Sequence, residues 1–398
     1  MAMIFPVQLS RFDDTSFMND PITTAGVIGL GVMGFDIAFL YAMKGLRTLA
    51  FDAAKAAMDS LTDRREQTIE RLQKRQRITD GEIDNLRTLL IPASDLNGLA
   101  AADLVTEAVS ENARTKLAVY KTLREAGFHG LLTTNTSSVT RATLLSVETI
   151  DSHKFALTHF FNPVLYTQMV EVVSGDMDAA NRESILDFLK TLGRDPVPVQ
   201  DISGFVSNGI LMIYAVMACR LLERGARIEQ IDQAAKELKL LPPLLSFDSW
   251  KPSIVEDVTR IMRELRGDEF LRSSKLLSRL AEANPRFYAG ANPNPKVYEL
   301  TAAGDASLSD ADVQLALQTS MLVAAARVGE LGETQPMVDR VATDGIKMPR
   351  PPLRDIDAMG TVALLDNLAA TNRVIGGTPL PAPVSLVEMA RTQVKFYA

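Results

Sequence analysis

From about residue 24 the chain alternates short apolar runs with longer stretches of helical periodicity. AGVIGL at 25–30 reads as a buried strand, followed by a glycine turn and the helical segment VMGFDIAFLYAMKG. LRTLAFD at 46–52 reads as a second strand, and a charged helical stretch over 53–78 is expected to close at the turn residues Thr79, Asp80 and Gly81. DLVTEAV (103–109) and GLLTTNT (130–136) are further strands around the helical ENARTKLAVYKTLREAG. KFALTHF, MVEVVSG and PVPV give three more near 154–160, 169–175 and 196–199. Strands and helices alternating on this spacing predict an α/β fold with a doubly wound parallel sheet.

After about Gly204 the strands stop and helical periodicity takes over. Shifting the sequence by 107 positions pairs Ala218 with Ala325, Arg220 with Arg327, Glu223 with Glu330 and Gly225 with Gly332. The same shift pairs Asp232 with Asp339, Ala235 with Ala342, Pro242 with Pro349 and Asp248 with Asp355. An all-α region of two similar helical units accounts for this repeat. The expected division is an N-terminal arm (1–23), a sheet domain (24–203), a first helical domain (204–300) and a second (301–398).

Composition narrows the function. The formal charge of -7, with no long run of either sign, gives no support to a nucleic-acid or anionic-membrane binder. Three histidines and the single Cys219 make a zinc site of His and Cys implausible, and one cysteine forms no internal disulfide. The first twenty residues lack a secretory pattern and no run is long and apolar enough to span a bilayer, so a cytoplasmic location is expected. Cys219 reads as core; His129 and His153 read as surface residues.

Gly29, Gly31 and Gly34 form a GxGxxG turn between a strand and a helix. The first glycine permits the tight turn, the second lets backbone approach a pyrophosphate, and the third allows close helix–strand packing. Asp52 ends the next strand, where a carboxylate accepts both ribose hydroxyls of an adenosine and repels a 2′-phosphate. The context is that of a Rossmann-type domain binding NAD rather than NADP. Asp36, in the first helical turn, is expected to point away from the pyrophosphate.

His159 ends the strand KFALTH, and Glu171 lies on the next strand across a turn containing Asn162 and Pro163. A hairpin-like return places the carboxylate beside the imidazole, which suits a general base; a buried structural His–Glu pair fits the same pattern. Asn135, Thr136, Ser137 and Ser138 follow another strand at the carboxyl edge, as substrate hydrogen-bond donors or as helix caps. Lys74, Arg75 and Arg77 form a basic cluster, either a solvated helix face or a site for substrate phosphates.

Together, Gly29 to Gly34 with Asp52, Glu107-Ala108-Val109 with Glu111 and Lys116, Asn135 to Ser138, and HFFNP at 159–163 with Glu171 resemble the L-3-hydroxyacyl-CoA dehydrogenases over residues 25–225. The repeated helical region resembles the dehydrogenase part of multifunctional β-oxidation enzymes, without their hydratase part. The resemblance implies NAD-dependent, reversible oxidation of the 3-hydroxyl of an acyl-CoA. It implies His159 as base, Glu171 as its orienting partner, and Ser137 and Asn208 as donors to the reacting oxygen. Glu111, Lys116, Asn135 and Asn162 would line the cofactor site, and Lys74 would lie near the CoA phosphates. A monomer whose two helical units cover one another is expected, with a homodimer as the other arrangement.

The chain departs from that family at Leu165 and Gln168, at Ser203-Gly204-Phe205, at Gly209, and over ELKLLPPLLSFDSW (237–250). The last segment is expected to border the acyl tail or the domain interface. Two other readings remain: a β-hydroxyacid dehydrogenase acting on a non-CoA substrate, and a non-catalytic NAD-binding structural protein.

Overall fold

A computed structural model describes residues 21–146, 150–272, 274–301 and 307–397; the arm expected over 1–23 falls almost wholly outside them. Eight strands form one sheet: β1 (Thr24–Ile28), β2 (Arg47–Phe51), β3 (Leu90–Pro92), β4 (Leu104–Glu107), β5 (Leu131–Thr134), β6 (Phe155–Phe160), β7 (Met169–Val173) and β8 (Asp195–Pro198). Their order is β3-β2-β1-β4-β5-β6-β7-β8. From β4 to β7 every strand residue is buried, as expected of strands covered on both faces. The sheet is not wholly parallel. β7 returns antiparallel to β6, and β8 runs parallel to β7.

Two local expectations change. The stretch at 53–78 is two helices, Lys55–Asp59 and Leu61–Lys74, and Thr79 opens a third, Asp80–Leu89, rather than closing the second. The reason is a capping box: the Thr79 hydroxyl accepts from the Glu82 amide while the Glu82 carboxylate accepts from the Thr79 amide. β3, only three residues long, carries too little alternation to be read from the sequence.

The helical region repeats its elements pairwise. Ser207–Glu223 corresponds to Asp310–Glu330 and Ile228–Glu237 to Gln335–Arg340, at the offset of 107. Pro243–Trp250, Pro252–Arg266 and Lys275–Ala283 then correspond to Pro352–Met359, Thr361–Ile375 and Val384–Thr392, at an offset of 109. Two residues have therefore been inserted in the second unit, and the counterparts of Pro242 and Asp248 are Pro351 and Asp357, not Pro349 and Asp355. The contacts agree. Asp248 accepts from the Phe287 and Tyr288 amides, and Asp357 accepts from those of Phe396 and Tyr397.

Helices Ser207–Glu223 and Asp310–Glu330 pack along each other as the centre of this region, apolar nearly all round because both are enclosed. An arginine from each crosses to the other unit. Arg220 donates to the carbonyls of Ile375 and Gly376, and Arg327 pairs with Asp268 at 2.7 Å. Among the described residues no helix is long and apolar enough to cross a membrane.

Candidate active site

The glycine turn is built for close approach. Gly29 has φ +89°, and a Cβ there would stand 2.6 Å from the Ala108 carbonyl oxygen; one on Gly34 would collide with the Gly29 carbonyl. Around Gly31 the space is open, and Val32–Met43 begins there without a side-chain cap. Its first amides are thus free to meet a phosphate. Asp52 accepts from the Leu30 amide at 2.6 Å and the Ala54 amide at 2.7 Å, which fixes a carboxylate at the end of β2. Arg64 pins the turn from the other side, donating to the carbonyls of Leu30 (2.6 Å) and Gly31 (3.0 Å) while stacking on Phe35. Asp36 faces Arg64 and Arg71, whose charges partly offset the upward push that burial gives its carboxyl. Cradle, free helix start and acidic strand end fit an adenine dinucleotide.

The antiparallel pairing of β6 and β7 sets His159 opposite Glu171 in register. The imidazole Nδ1 lies 2.8 Å from Glu171 Oε2, and the carboxylate is fully buried. An ionised carboxylate only accepts, so Nδ1 carries the proton and Nε2 keeps its lone pair. Nε2 faces Ser137 Oγ and Asn208 Nδ2, each at 3.5 Å, distances too long for firm hydrogen bonds and open enough to admit a hydroxyl between them. Phe161 and Phe205 flank the ring.

Glu171 also accepts the amides of Val206 (3.1 Å) and Ser207 (3.0 Å) and the Ser207 hydroxyl (2.6 Å). One carboxylate therefore orients the imidazole and docks the start of helix Ser207–Glu223, which carries Asn208. Asn208 Nδ2 in turn donates to the Ser137 carbonyl at 3.2 Å. Ser207 was missed from the sequence, because its partner lies 36 residues away on a strand.

Glu111 organises the loop after β5, accepting from the Thr136 and Ser138 hydroxyls and the Ser137 and Ser138 amides. Burial alone would raise its pKa, but the Lys116 charge and these donors hold the carboxyl below the usual range. Two residues expected at the cofactor site have side chains bonded within the protein. Lys116 is fully buried, bound to Glu107 at 2.9 Å and 3.6 Å from Glu111, so it acts from beneath the loop. Asn135 uses its side-chain oxygen on the Phe160 amide at 2.9 Å, tying β5 to β6. Asn162 does line the cleft beside His159.

Lys74 is exposed and bonded to Glu70 on its own helix at 2.6 Å. Arg75 and Arg77 border an open recess with Pro163 and Tyr166. Arg75 donates to the Tyr166 hydroxyl at 3.2 Å, and the Arg77 guanidinium lies 5.2 Å from the ring centre.

A cleft of about 280 Å³ joins these parts, running from Val32 and Met33 past His159, Ser137 and Asn208. Leu241, Ser249 and Trp250 line its far wall, so the unusual 237–250 segment borders the cleft. Cys219 is fully buried in the core, as expected, and His129 and His153 are exposed.

A dinucleotide cradle opening on a carboxylate-backed imidazole defines an NAD-dependent oxidoreductase. The sequence model for the NAD binding domain of 3-hydroxyacyl-CoA dehydrogenase matches residues 24–202, and that for its C-terminal domain matches 204–288. The chain is 34% identical over 219 residues to the mitochondrial hydroxyacyl-coenzyme A dehydrogenase of Sus scrofa, covering 53% of this chain and 69% of that protein. It belongs to the 3-hydroxyacyl-CoA dehydrogenase family. In fold it is similar to 3-hydroxybutyryl-CoA dehydrogenase from Escherichia coli K12, with a TM-score of 0.75 over 93% of this chain and 98% of that one, at 22% identity. The dehydrogenase part of a multifunctional enzyme from C. elegans has a TM-score of 0.59 over 92% of this chain and 89% of that one, at 18% identity. Both likenesses extend beyond the first helical unit.

Proposed function

We propose that the protein interconverts L-3-hydroxyacyl-CoA and 3-ketoacyl-CoA, with His159 as the general base. The observation that carries this reading is the 2.8 Å Nδ1 contact to buried Glu171, which leaves Nε2 directed into the cleft. In the oxidative direction Nε2 takes the hydroxyl proton, and the Glu171 carboxylate balances the imidazolium that forms. Ser137 Oγ and Asn208 Nδ2 hold the oxygen as it becomes a carbonyl. NAD, when bound, would supply the hydride acceptor for the substrate carbon that bears this oxygen. Gly29, Gly31, Gly34 and Asp52 hold its adenosine half, and Asn162 borders the nicotinamide half. Glu111 acts as a positioning residue through the Ser137 loop. Arg75 and Arg77 replace Lys74 as the cations meeting the CoA phosphates.

The same proposal includes the division into residues 24–203, 204–300 and 301–398, a monomer whose helical units cover one another, and a cytoplasmic location. NADH oxidation followed optically with acetoacetyl-CoA tests the central claim. His159→Gln should lower turnover roughly 10²- to 10⁴-fold while NADH binding is retained. A variant as fast as the unmodified protein would remove His159 from the chemistry.

A further inference from the structure

The cleft is not walled by the sheet domain and the first helical unit alone. Gly345, Ile346 and Lys347 of the second unit line it as well. They are brought there by a local irregularity. Helix Gln335–Arg340 runs on into one turn of i→i+5 bonding, Val341–Gly345, closed by the Ile346 amide donating to the Val341 carbonyl at 3.1 Å. Lys347 then takes a left-handed conformation, φ +62°.

In the first unit the matching left-handed residue is Lys239, φ +58°, reached directly from an ordinary helix end. Seven positions separate Asp232 from Lys239 and eight separate Asp339 from Lys347. The wide turn absorbs the extra residue, which is how such bulges arise inside helices. It also advances the backbone onto the active site. A Cβ on Gly345 would stand 2.9 Å from Met169 Sδ and 3.0 Å from the Phe161 ring, whose centre is 5.6 Å from that of His159. The Lys347 ammonium turns back to the Asp344 carbonyl at 2.5 Å, which holds it to its own segment. Ile346 lines the cleft together with Phe161, Leu211, Met212 and Leu241.

We propose that the second helical unit supplies part of the acyl-binding wall, with Ile346 as a specificity-determining residue for acyl-chain length. This rests on the reading of the cleft as an acyl-CoA site. The Ile346 side chain is apolar, so its effect should grow with the length of chain that reaches it.

The test compares kcat/KM for 3-ketoacyl-CoAs of four, eight and twelve carbons at saturating NADH in the full chain. Ile346→Ala and Ile346→Phe should shift the long-to-short ratio in opposite directions, each by roughly fivefold or more. The KM for NADH should stay unchanged. Leu238→Ala, at the corresponding place in the first unit, should leave the ratio alone. Equal effects at every chain length, or equal effects of Leu238→Ala and Ile346→Ala, would overturn the proposal. An unmodified protein inactive on all three substrates, yet binding NADH, would instead overturn the acyl-CoA reading and this proposal with it.

Discussion

In the first helical unit the helix Ser207–Glu223 starts against Glu171 and presents Asn208 to the imidazole. In the second, the helix Asp310–Glu330 has Leu315 at the matching position, and its N-terminus is capped by its own Ser309 and Asp312 rather than by the sheet domain. The groove formed by Leu238, Lys239 and Leu240 against Gln318, Met321 and Met348 is the counterpart of the far end of the catalytic cleft. It contains no residue of the sheet domain. Duplication has thus kept the packing of the unit while, of the two central helices, the first is the one that meets His159. What the second copy retains is the central helix, the crossing arginine and the buried aspartate. What it has gained is an insertion of two residues, the first of which, in the wide turn, accompanies the approach of Gly345 and Ile346 to its neighbour's cleft.

The sharpest way to break this comparison is to make the units alike at the one position where chemistry separates them. Asn208→Leu gives the first helix the residue that the second already carries. It removes the amide that faces His159 Nε2, and on the proposed mechanism kcat/KM for acetoacetyl-CoA should fall roughly 10²-fold. Leu315→Asn makes the reverse change and should leave activity within about twofold, since no histidine faces it. Steady-state kinetics on both variants decides the matter, and a comparable loss in each would mean that the second helix takes part in catalysis.

How far the sequence discloses this asymmetry depends on distance along the chain. His159 and Glu171 are twelve residues apart on adjacent strands, so alternation and a turn suffice to pair them. The glycine turn and Asp52 are legible for the same reason, each lying at a strand end of a regular α/β unit. Ser207 and Arg64 were not legible, because they reach their partners across 36 and 34 residues without any local pattern. The two carboxylates that hold Lys116 fully buried were likewise not legible as its partners, since a lysine in a site motif suggests a ligand contact. The repeat was visible at a constant shift of 107, but an insertion of two residues cannot be located by identity when so few positions match. Hydrogen bonds to Asp248 and Asp357 locate it.

The crossing arginines test whether the two halves of the pseudo-symmetric contact are equivalent. Arg327→Met takes the ion-pair partner from Asp268, 3% exposed, leaving it the Phe270 amide and the charge of Arg266. Breaking one side of such a buried pair costs about 3–5 kcal/mol. Arg220→Met removes donors from two carbonyls at the end of Thr361–Ile375, and should cost about 1–3 kcal/mol. Urea unfolding should therefore rank Arg327→Met as the more damaging. The opposite ranking would place the weight of the interface at the second unit's helix end.

The smallest effect concerns the aspartate that each unit keeps at its core. Asp232 accepts the amides of Leu244 and Leu245 and the Tyr288 hydroxyl; Asp339 accepts the Leu353 amide and the Tyr397 hydroxyl. Burial raises the pKa of both above the ordinary aspartate range, against the opposing pull of these donors and of Lys236 or Arg354. A raised folded-state pKa means that the fold binds the proton more readily than the unfolded chain does. Their contribution to stability is therefore greatest at low pH and declines as pH rises through the folded-state value. Relative to Asp232→Asn or Asp339→Asn, the unmodified protein should gain stability as the pH falls from about 7 towards the ordinary aspartate range. Urea midpoints across that range should show the same sign of change for both substitutions. Opposite signs would mean that the two units, alike in backbone, no longer share the electrostatics of their cores.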